Sequence, residues 1–197
     1  MKKIVLASKN LDKVKEIRLA LEGLPLEILS LKDFENLPDA VEDGSTFEAN
    51  ALIKARFFRE QTGLACLADD SGLEVSALGG LPGVYSARFA GYHADDATNN
   101  QKLLDELKTV GVEESTAAYR CALAFADTDG TELLTAGKIE GKIKTLAQGN
   151  GGFGYDPYFY IDERRTMAQL STDEKNLISH RGAALRKMIL KLKESFR

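Results

Sequence analysis

Strand-like and helix-like patterns alternate through the first 70 residues of this chain. Three short apolar runs are typical of buried strands: residues 3–7, 26–31 and 64–69. Between the first two, apolar residues three and four positions apart predict a helix from Leu11 to Leu21. Between the second and third, a capping-box pattern of Ser45 and Glu48 predicts a helix that ends at Gly63. Such alternation is typical of an α/β fold.

The second half of the chain predicts a β-hairpin. Two long strand-like runs, 117–126 and 131–144, flank the turn sequence Asp-Thr-Asp-Gly. An aromatic strand follows at 158–161, and a C-terminal helix carries apolar residues on one face: Leu185, Met188, Ile189, Leu192 and Phe196. We therefore expect an α/β fold with a mixed sheet. The 197 residues fit a single domain, 1–197, or two lobes that share one core.

The composition, 44% hydrophobic and 28% charged, is that of an ordinary globular protein. A net charge of −4 argues against a nucleic-acid partner, because proteins that coat nucleic acid are usually basic. Cys66 and Cys121 lie in apolar runs without disulfide or zinc spacing, which predicts reduced core residues. No apolar run reaches the length of a signal peptide or a membrane span. Together these features predict a cytoplasmic protein without a membrane partner.

The third apolar run ends in two adjacent carboxylates, Asp69 and Asp70, followed by Ser71 and Gly72. Adjacent residues of a strand point to opposite faces, so both carboxylates share one site only if the backbone turns, which Gly72 permits. Like charges held close cost energy unless a cation or hydrogen bonds offset them. A polar turn that caps the strand is the simpler interpretation, and a cation site is the alternative.

Residues 8–13 (SKNLDK) lie where a strand turns into a helix. Free backbone N–H groups and the helix dipole favour an anion there, Ser8 and Asn10 can donate hydrogen bonds, and Lys13 adds a positive charge. An ordinary N-cap with a solvated lysine is equally compatible with the pattern. The segment is not a Walker A loop, because that pattern is absent from the sequence.

Residues 148–156 (QGNGGFGYD) match the spacing of a dinucleotide-binding fingerprint, but the segment leads into a strand and not into a helix, so we reject that match. The glycines allow a ligand to approach the backbone, and Phe153 and Tyr155 could stack on a flat base. The alternative is a hairpin loop whose aromatic residues pack into the core.

Two further stretches carry candidate residues. Lys175, His180 and Arg181 cluster near the start of the last helix, where positive charge is unfavourable unless an anion or acceptor compensates it. A structural histidine is the alternative. Glu42 and Asp70, with or without Asp69, would offer the oxygen ligands that Mg²⁺ prefers, although Glu42 by itself is compatible with a solvated loop charge. The combined inventory predicts a Mg²⁺-dependent enzyme that acts on a nucleoside triphosphate.

Five ordered segments closely resemble the inosine triphosphate pyrophosphatase family, which comprises house-cleaning dITP/XTP pyrophosphatases. They are residues 8–13, 67–73 (LADDSGL), 79–88 (GGLPGVYSAR), 153–157 (FGYDP) and 179–182 (SHRG). The resemblance implies two lobes around a long, curved mixed sheet, with flanking helices and an active site in the cleft between the lobes. It further implies a homodimer that needs Mg²⁺. The implied reaction converts ITP, dITP or XTP into the monophosphate and pyrophosphate, before these nucleotides enter DNA or RNA.

The resemblance also implies roles for individual residues. Asp70 would be the proton acceptor and, with Glu42, a metal ligand, and Ser71 would contact the substrate. The phosphates would be bound by Ser8, Lys9, Asn10, Leu11, Asp12 and Lys13. The remaining nucleotide contacts would come from Phe153, Gly154, Tyr155, Asp156, Lys175, His180 and Arg181. One departure is visible, since many members have Glu-Asn-Ala where this chain has Ala-Asn-Ala at 49–51, which leaves the metal's full ligand set open.

Base selectivity can be reasoned from hydrogen bonding. Hypoxanthine and xanthine present an oxygen at position 6 where adenine presents an amino group, so the Arg181 guanidinium or a backbone N–H aimed there would reject adenine. How guanine is excluded does not follow from the sequence. Two rival functions stay open: a pyrophosphatase for standard or pyrimidine triphosphates, and a regulatory module that binds a nucleotide without cleaving it.

Overall fold

The computed structural model describes residues 1–196, which form an α/β fold around a six-stranded sheet of strand order β2-β1-β3-β4-β5-β6. The strands are β1 Lys2–Leu6, β2 Leu26–Ser30, β3 Ala65–Val75, β4 Glu114–Ala126, β5 Glu132–Lys144 and β6 Phe159–Tyr160. The helices of the α type are α1 Leu11–Ala20, α2 Phe47–Thr62, α3 Asp96–Thr109, α4 Thr172–Ile178 and α5 His180–Ser195.

The sheet is mixed, as the sequence predicts. Strand β1 runs parallel to both β2 and β3, which the intervening helices α1 and α2 allow. Strands β4 and β5 are joined by the predicted tight turn, in which the Asp127 N–H donates to the Thr131 carbonyl (2.8 Å). Strand β6 pairs antiparallel with β5. The predicted α/β class with a mixed sheet is confirmed.

The described residues group into two compact units, each with its own apolar core. The first unit comprises residues 1–70, 121–137 and 181–196, and its core includes Leu6, Ile17, Leu67, Leu123 and Leu185. The second unit comprises residues 71–120 and 138–180, and its core includes Leu73, Leu103, Tyr119, Ile143 and Phe159. The single domain 1–197 stays a prediction, and Arg197 lies outside the described residues. Within those residues, no helix is both long and apolar enough to cross a membrane.

The N-cap of helix α2 lies one residue later in the sequence than predicted. The Thr46 hydroxyl accepts a hydrogen bond from the Ala49 N–H (3.1 Å), so Thr46 is the N-cap and the predicted Ser45–Glu48 capping box is wrong. The predicted end is confirmed, because Gly63 adopts the left-handed conformation with φ of +66° and its N–H bonds to the Arg59 carbonyl.

Strand β3 does not end at its two carboxylates. It continues through Gly72 to Val75, so the predicted turn at this glycine is wrong. Two tertiary features keep the backbone extended: the Leu73 N–H donates to the Ser86 hydroxyl (2.9 Å), and the side chains of Leu73 and Val75 are fully buried. On a continuous strand, neighbouring side chains point to opposite faces, so Asp69 and Asp70 enter different surroundings.

Candidate active site

Asp69, in the first unit, is held in a buried network of ion pairs. Its Oδ2 accepts hydrogen bonds from Nε (3.2 Å) and Nη2 (3.1 Å) of Arg181, and its Oδ1 lies 3.3 Å from the Lys13 ammonium. The residue is only 2% exposed. Burial opposes its charge, but Lys13 and Arg181 outweigh that effect and hold the pKa of the carboxyl well below its usual range. Asp69 is therefore charged and forms structural ion pairs with Arg181 and Lys13.

Arg181, in the first turn of α5, bridges two carboxylates. Besides its bonds to Asp69, its Nη1 donates to the Glu16 carboxylate of α1 (2.6 Å), and the residue is 1% exposed. These pairs explain how a positive charge is tolerated near a helix N-terminus. The sequence predicts Arg181 as a base-recognising residue, and that role stays a prediction. Glu16 was not predicted, although its place between the buried residues Val14 and Ile17 of α1 is an available signal.

Asp70 has a very different environment from its neighbour. It is 8% exposed, and its Oδ2 is buried without a hydrogen-bond partner among the described residues. Burial raises the pKa of Asp70 to about 6; the charges of Lys54 and Lys13 oppose the rise, and those of Glu42 and Asp69 add to it. An unpartnered buried carboxylate oxygen is costly to keep unless it binds something.

Lys54 of α2 lies among these carboxylates and was not predicted from the sequence. Its ammonium is 2.9 Å from Oε2 of Glu42 and donates to the backbone carbonyl of Asp69 (3.1 Å). Burial opposes its charge, but Glu42, Asp70 and Asp69 outweigh that effect and raise its pKa. Lys54 follows the buried Asn50 by one helical turn, so helical periodicity could have indicated its inward position.

Glu42 and Asp70 carry carboxylate oxygens, the type of ligand that a hard divalent cation prefers, and the Mg²⁺ site stays a prediction. Among the described residues, no three histidine, cysteine or carboxylate side chains gather into a complete metal site. Mg²⁺ typically takes one or two protein carboxylates and completes its shell with water and substrate phosphates. The Oδ2 of Asp70, which has no hydrogen-bond partner among the described residues, is chemically suited to such a role. Ala49 has a methyl side chain and cannot supply the carboxylate that the family resemblance implies at this position.

The 8–13 segment forms the N-cap of α1. The Asn10 side chain accepts hydrogen bonds from the N–H groups of Asp12 (3.0 Å) and Lys13 (3.1 Å), and the Ser8 hydroxyl accepts from the Asn10 N–H (3.2 Å). Leu11 is 59% exposed, so this residue does not belong to the core. The cap interpretation is thus what the structure shows, and phosphate binding by the segment stays a prediction. Lys9, for its part, forms an exposed ion pair with Asp39.

In the second unit, the Asp156 carboxylate organises the aromatic and glycine-rich segment. Its Oδ2 accepts hydrogen bonds from the Lys175 ammonium (2.8 Å) and from the Phe153 N–H (3.0 Å). The same ammonium lies 4.7 Å from the centroid of the Phe153 ring. Asp156 and Lys175 are both buried, whereas Phe153 is half-buried. Three of the predicted nucleotide-binding residues therefore form one connected group.

The other predicted residues of this unit occupy varied surroundings. Tyr155 is buried, and its hydroxyl donates to the Ser86 carbonyl (2.7 Å), so its ring belongs to the core, in line with the alternative of packed aromatic residues. His180 is buried and stacks on Tyr119, with ring centroids 4.8 Å apart and planes 17° apart. Ser71 is half-buried on β3.

Comparisons with known proteins show extensive similarity. Residues 4–191 match the model of the Ham1 family. A dITP/XTP pyrophosphatase of Geobacter sulfurreducens is 50% identical over 186 residues, covering 94% of each chain. One of Bacillus anthracis is 48% identical, covering 100% of this chain and 98% of the relative.

The fold is also similar to solved structures. A HAM1 protein from Coxiella burnetii superposes with a TM-score of 0.88 at 43% identity, covering 98% of this chain and 100% of the other. A protein of Mycobacterium abscessus, described as a nucleoside-triphosphatase and dITP/XTP pyrophosphatase, gives a TM-score of 0.74 at 43% identity, covering 94% of this chain and 98% of the other.

Replacement of Asp69 and replacement of Asp70 should affect the free energy of unfolding differently. Asp69→Asn leaves buried cations with fewer partners and should lower the free energy of unfolding by about 3–5 kcal/mol. Asp70→Asn should leave that free energy unchanged or raise it. The reason is that a raised pKa means the folded state disfavours the charge that Asp70 carries at pH 7. Urea denaturation at pH 7 in EDTA measures both changes, and an equal loss in the two variants would contradict this assignment.

Proposed function

The chain belongs to the Ham1 family, and we propose that it is a nucleoside-triphosphate pyrophosphatase that hydrolyses the non-standard purine nucleotides ITP, dITP and XTP. The family match confirms the resemblance that the five sequence motifs predict, and the relatives carry the name dITP/XTP pyrophosphatase. The products are the nucleoside monophosphate and pyrophosphate. The activity would remove these nucleotides from the pool before their incorporation into DNA or RNA.

The observation that carries the proposal is the environment of Asp70. Its Oδ2 is buried without a hydrogen-bond partner among the described residues, and the charges of Lys13 and Lys54 act on its carboxyl group. A carboxylate with a free lone pair can accept the proton of an attacking water molecule. The nearby lysines can offset the charge that develops on the phosphate oxygens. We assign Asp70 the role of proton acceptor.

Glu42 and Asp70 would hold Mg²⁺. When bound, the ion supplies charge compensation for the phosphates and lowers the pKa of a coordinated water molecule. Lys54, which pairs with Glu42 and with the Asp69 carbonyl, keeps the two ligand-bearing segments together. We assign the phosphates to residues 8–13, where Lys13 lies at the N-terminus of α1.

Residues 153–156, with Lys175 and His180, are assigned to the base and its surroundings. Phe153 is the aromatic residue of this segment that is not fully buried, and we assign it to stacking on a purine. Arg181 uses Nε, Nη1 and Nη2 for Asp69 and Glu16. We therefore assign Arg181 first to holding Asp69 in place, and its contact with the 6-oxygen stays a prediction.

Location and assembly are also proposals. A nucleotide-pool enzyme belongs in the cytoplasm, and the free, buried Cys66 and Cys121 are compatible with a reducing compartment. The homodimer that the family resemblance implies stays a prediction, which the molecular mass in solution would decide.

The substrate class is tested by pyrophosphate release with Mg²⁺. We expect ITP and XTP to be cleaved with a kcat/KM at least about 100-fold above that of ATP, because a site built to bond the 6-oxygen rejects an amino group strongly. GTP and dTTP are measured beside them. Equal cleavage of all five nucleotides would support the pyrophosphatase reaction but overturn the proposed preference for non-standard purines. Binding without release from any of them would favour a regulatory module.

The role of Asp70 is tested by Asp70→Asn, which keeps the shape of the side chain. Turnover of ITP should fall by about 10²–10⁴-fold, the usual contribution of a positioned general base. Asp43, an exposed carboxylate that follows Glu42 in the sequence, offers a matched control, and Asp43→Asn should retain wild-type turnover. An active Asp70→Asn enzyme would refute the assignment.

The metal site is tested without reference to activity. Mg²⁺ added to EDTA-treated protein should raise the melting temperature, because a ligand that binds only the folded state stabilises it. The shift should disappear in Asp70→Asn and shrink in Glu42→Gln, and it should persist in Asp43→Asn. A full shift in Asp70→Asn would place the ion elsewhere.

A further inference from the structure

Gly154 is bonded through both of its backbone polar groups to side chains of α3. Its N–H donates to Oδ2 of Asp96 (2.6 Å), and its carbonyl accepts from Nδ2 of Asn100 (2.9 Å). Asp96 and Asn100 are four residues apart, so they share one face at the start of the helix. We call this pair the α3 clamp. Neither residue was singled out by the sequence motifs.

The clamp acts on a segment with little conformational preference of its own. Gly149, Gly152 and Gly154 all have positive φ, and Gly154 has open space around its Cα, where a Cβ would meet no atom within 4 Å. Glycine loses more backbone entropy on ordering than any other residue. Gly154 has no side chain that could pack, so the two hydrogen bonds from α3 restrain its backbone directly.

A second set of bonds holds the same segment from the other end. Asp156 accepts from the Phe153 N–H, and Lys175 bonds to Asp156 and lies against the Phe153 ring. These contacts fix residues 153 and 156. The clamp holds Gly154, the residue after Phe153. It therefore restrains the backbone that orients the Phe153 ring.

From these contacts we propose that Asp96 and Asn100 are positioning residues that set base selectivity. The inference rests on the proposed function of residues 153–156 as the base-binding segment. Discrimination between an oxygen and an amino group at position 6 requires donors and a stacking ring held in one geometry. Both polar groups of Gly154 are already bonded to α3, so the clamp contributes by orienting its neighbours and not through contact with the base.

Single substitutions in the clamp separate positioning from chemistry. Asp96→Ala and Asn100→Ala each remove one hydrogen bond, while Asn100→Asp places an oxygen against the Gly154 carbonyl without a change of shape. We expect KM for ITP to rise and the ITP-to-ATP ratio of kcat/KM to fall by roughly five- to tenfold, the value of one hydrogen bond. The kcat for ITP should change by less than about twofold, since the reacting groups are untouched.

The chain supplies two controls. Asp96→Asn keeps an oxygen acceptor for the Gly154 N–H, so it should restore most of the selectivity that Asp96→Ala loses. Asp105 is an exposed carboxylate on the same helix that bonds to Gln101 and not to the glycine segment. Asp105→Ala should keep the wild-type ratio.

The outcomes are distinct. A wild-type enzyme without preference for ITP over ATP would overturn the proposed substrate class. A wild-type preference that Asn100→Asp and Asp96→Ala both retain would overturn only the role of the clamp, as would equal losses of kcat on both nucleotides. Melting temperatures identify any variant that fails to fold, and in that case the shape-conserving Asn100→Asp decides.

Discussion

The first unit of this protein depends on one buried guanidinium. Arg181 joins three parts of the chain that are far apart in sequence, because it bonds to Glu16 of α1 and Asp69 of β3 from its own place on α5. A buried pair of this kind contributes little net stability, but the removal of one member leaves an uncompensated buried charge. The network therefore restricts how α1, β3 and α5 can pack, and it fixes the position of the residue after Asp69.

That next residue, Asp70, has an electrostatic environment different from that of Asp69. Strand geometry points the two side chains to opposite faces. Asp69 bonds to Arg181, whereas the buried Oδ2 of Asp70 has no hydrogen-bond partner in the described part of the chain. The pKa values of the two carboxyl groups move in opposite directions as a result. Such a divergence distinguishes a structural carboxylate from one available for proton transfer or metal binding. Lys54 keeps the cost of this arrangement low, since its charge is shared among the carboxylates around it.

Features with a local cause were predictable from the sequence, and features with a tertiary cause were not. A few neighbouring residues determine each of three features: the helix periodicity, the hairpin turn at 127–130 and the end of α2 at Gly63. Ser45 and Thr46 are both competent caps, so the choice between them is decided by the chain's path. The extension of β3 past Gly72 follows from the Ser86 hydroxyl on Leu73, a contact 13 positions away in sequence. Motifs identified many candidate site residues, but the ion-pair partners Lys54 and Glu16 carry no motif.

The glycine-rich segment of the second unit shows why positioning bonds matter as much as contact residues. Gly152 must lack a side chain, because a Cβ there would collide with the Asp156 carboxylate. The close approach lets Asp156 bind the Phe153 N–H, but the glycine adds flexibility on either side of the ring. The bonds from Asp156 and from α3 restrain this segment without a bound ligand. The binding free energy of the base then does not have to order the loop. A difference of one hydrogen bond between two bases therefore appears as a difference in their affinity.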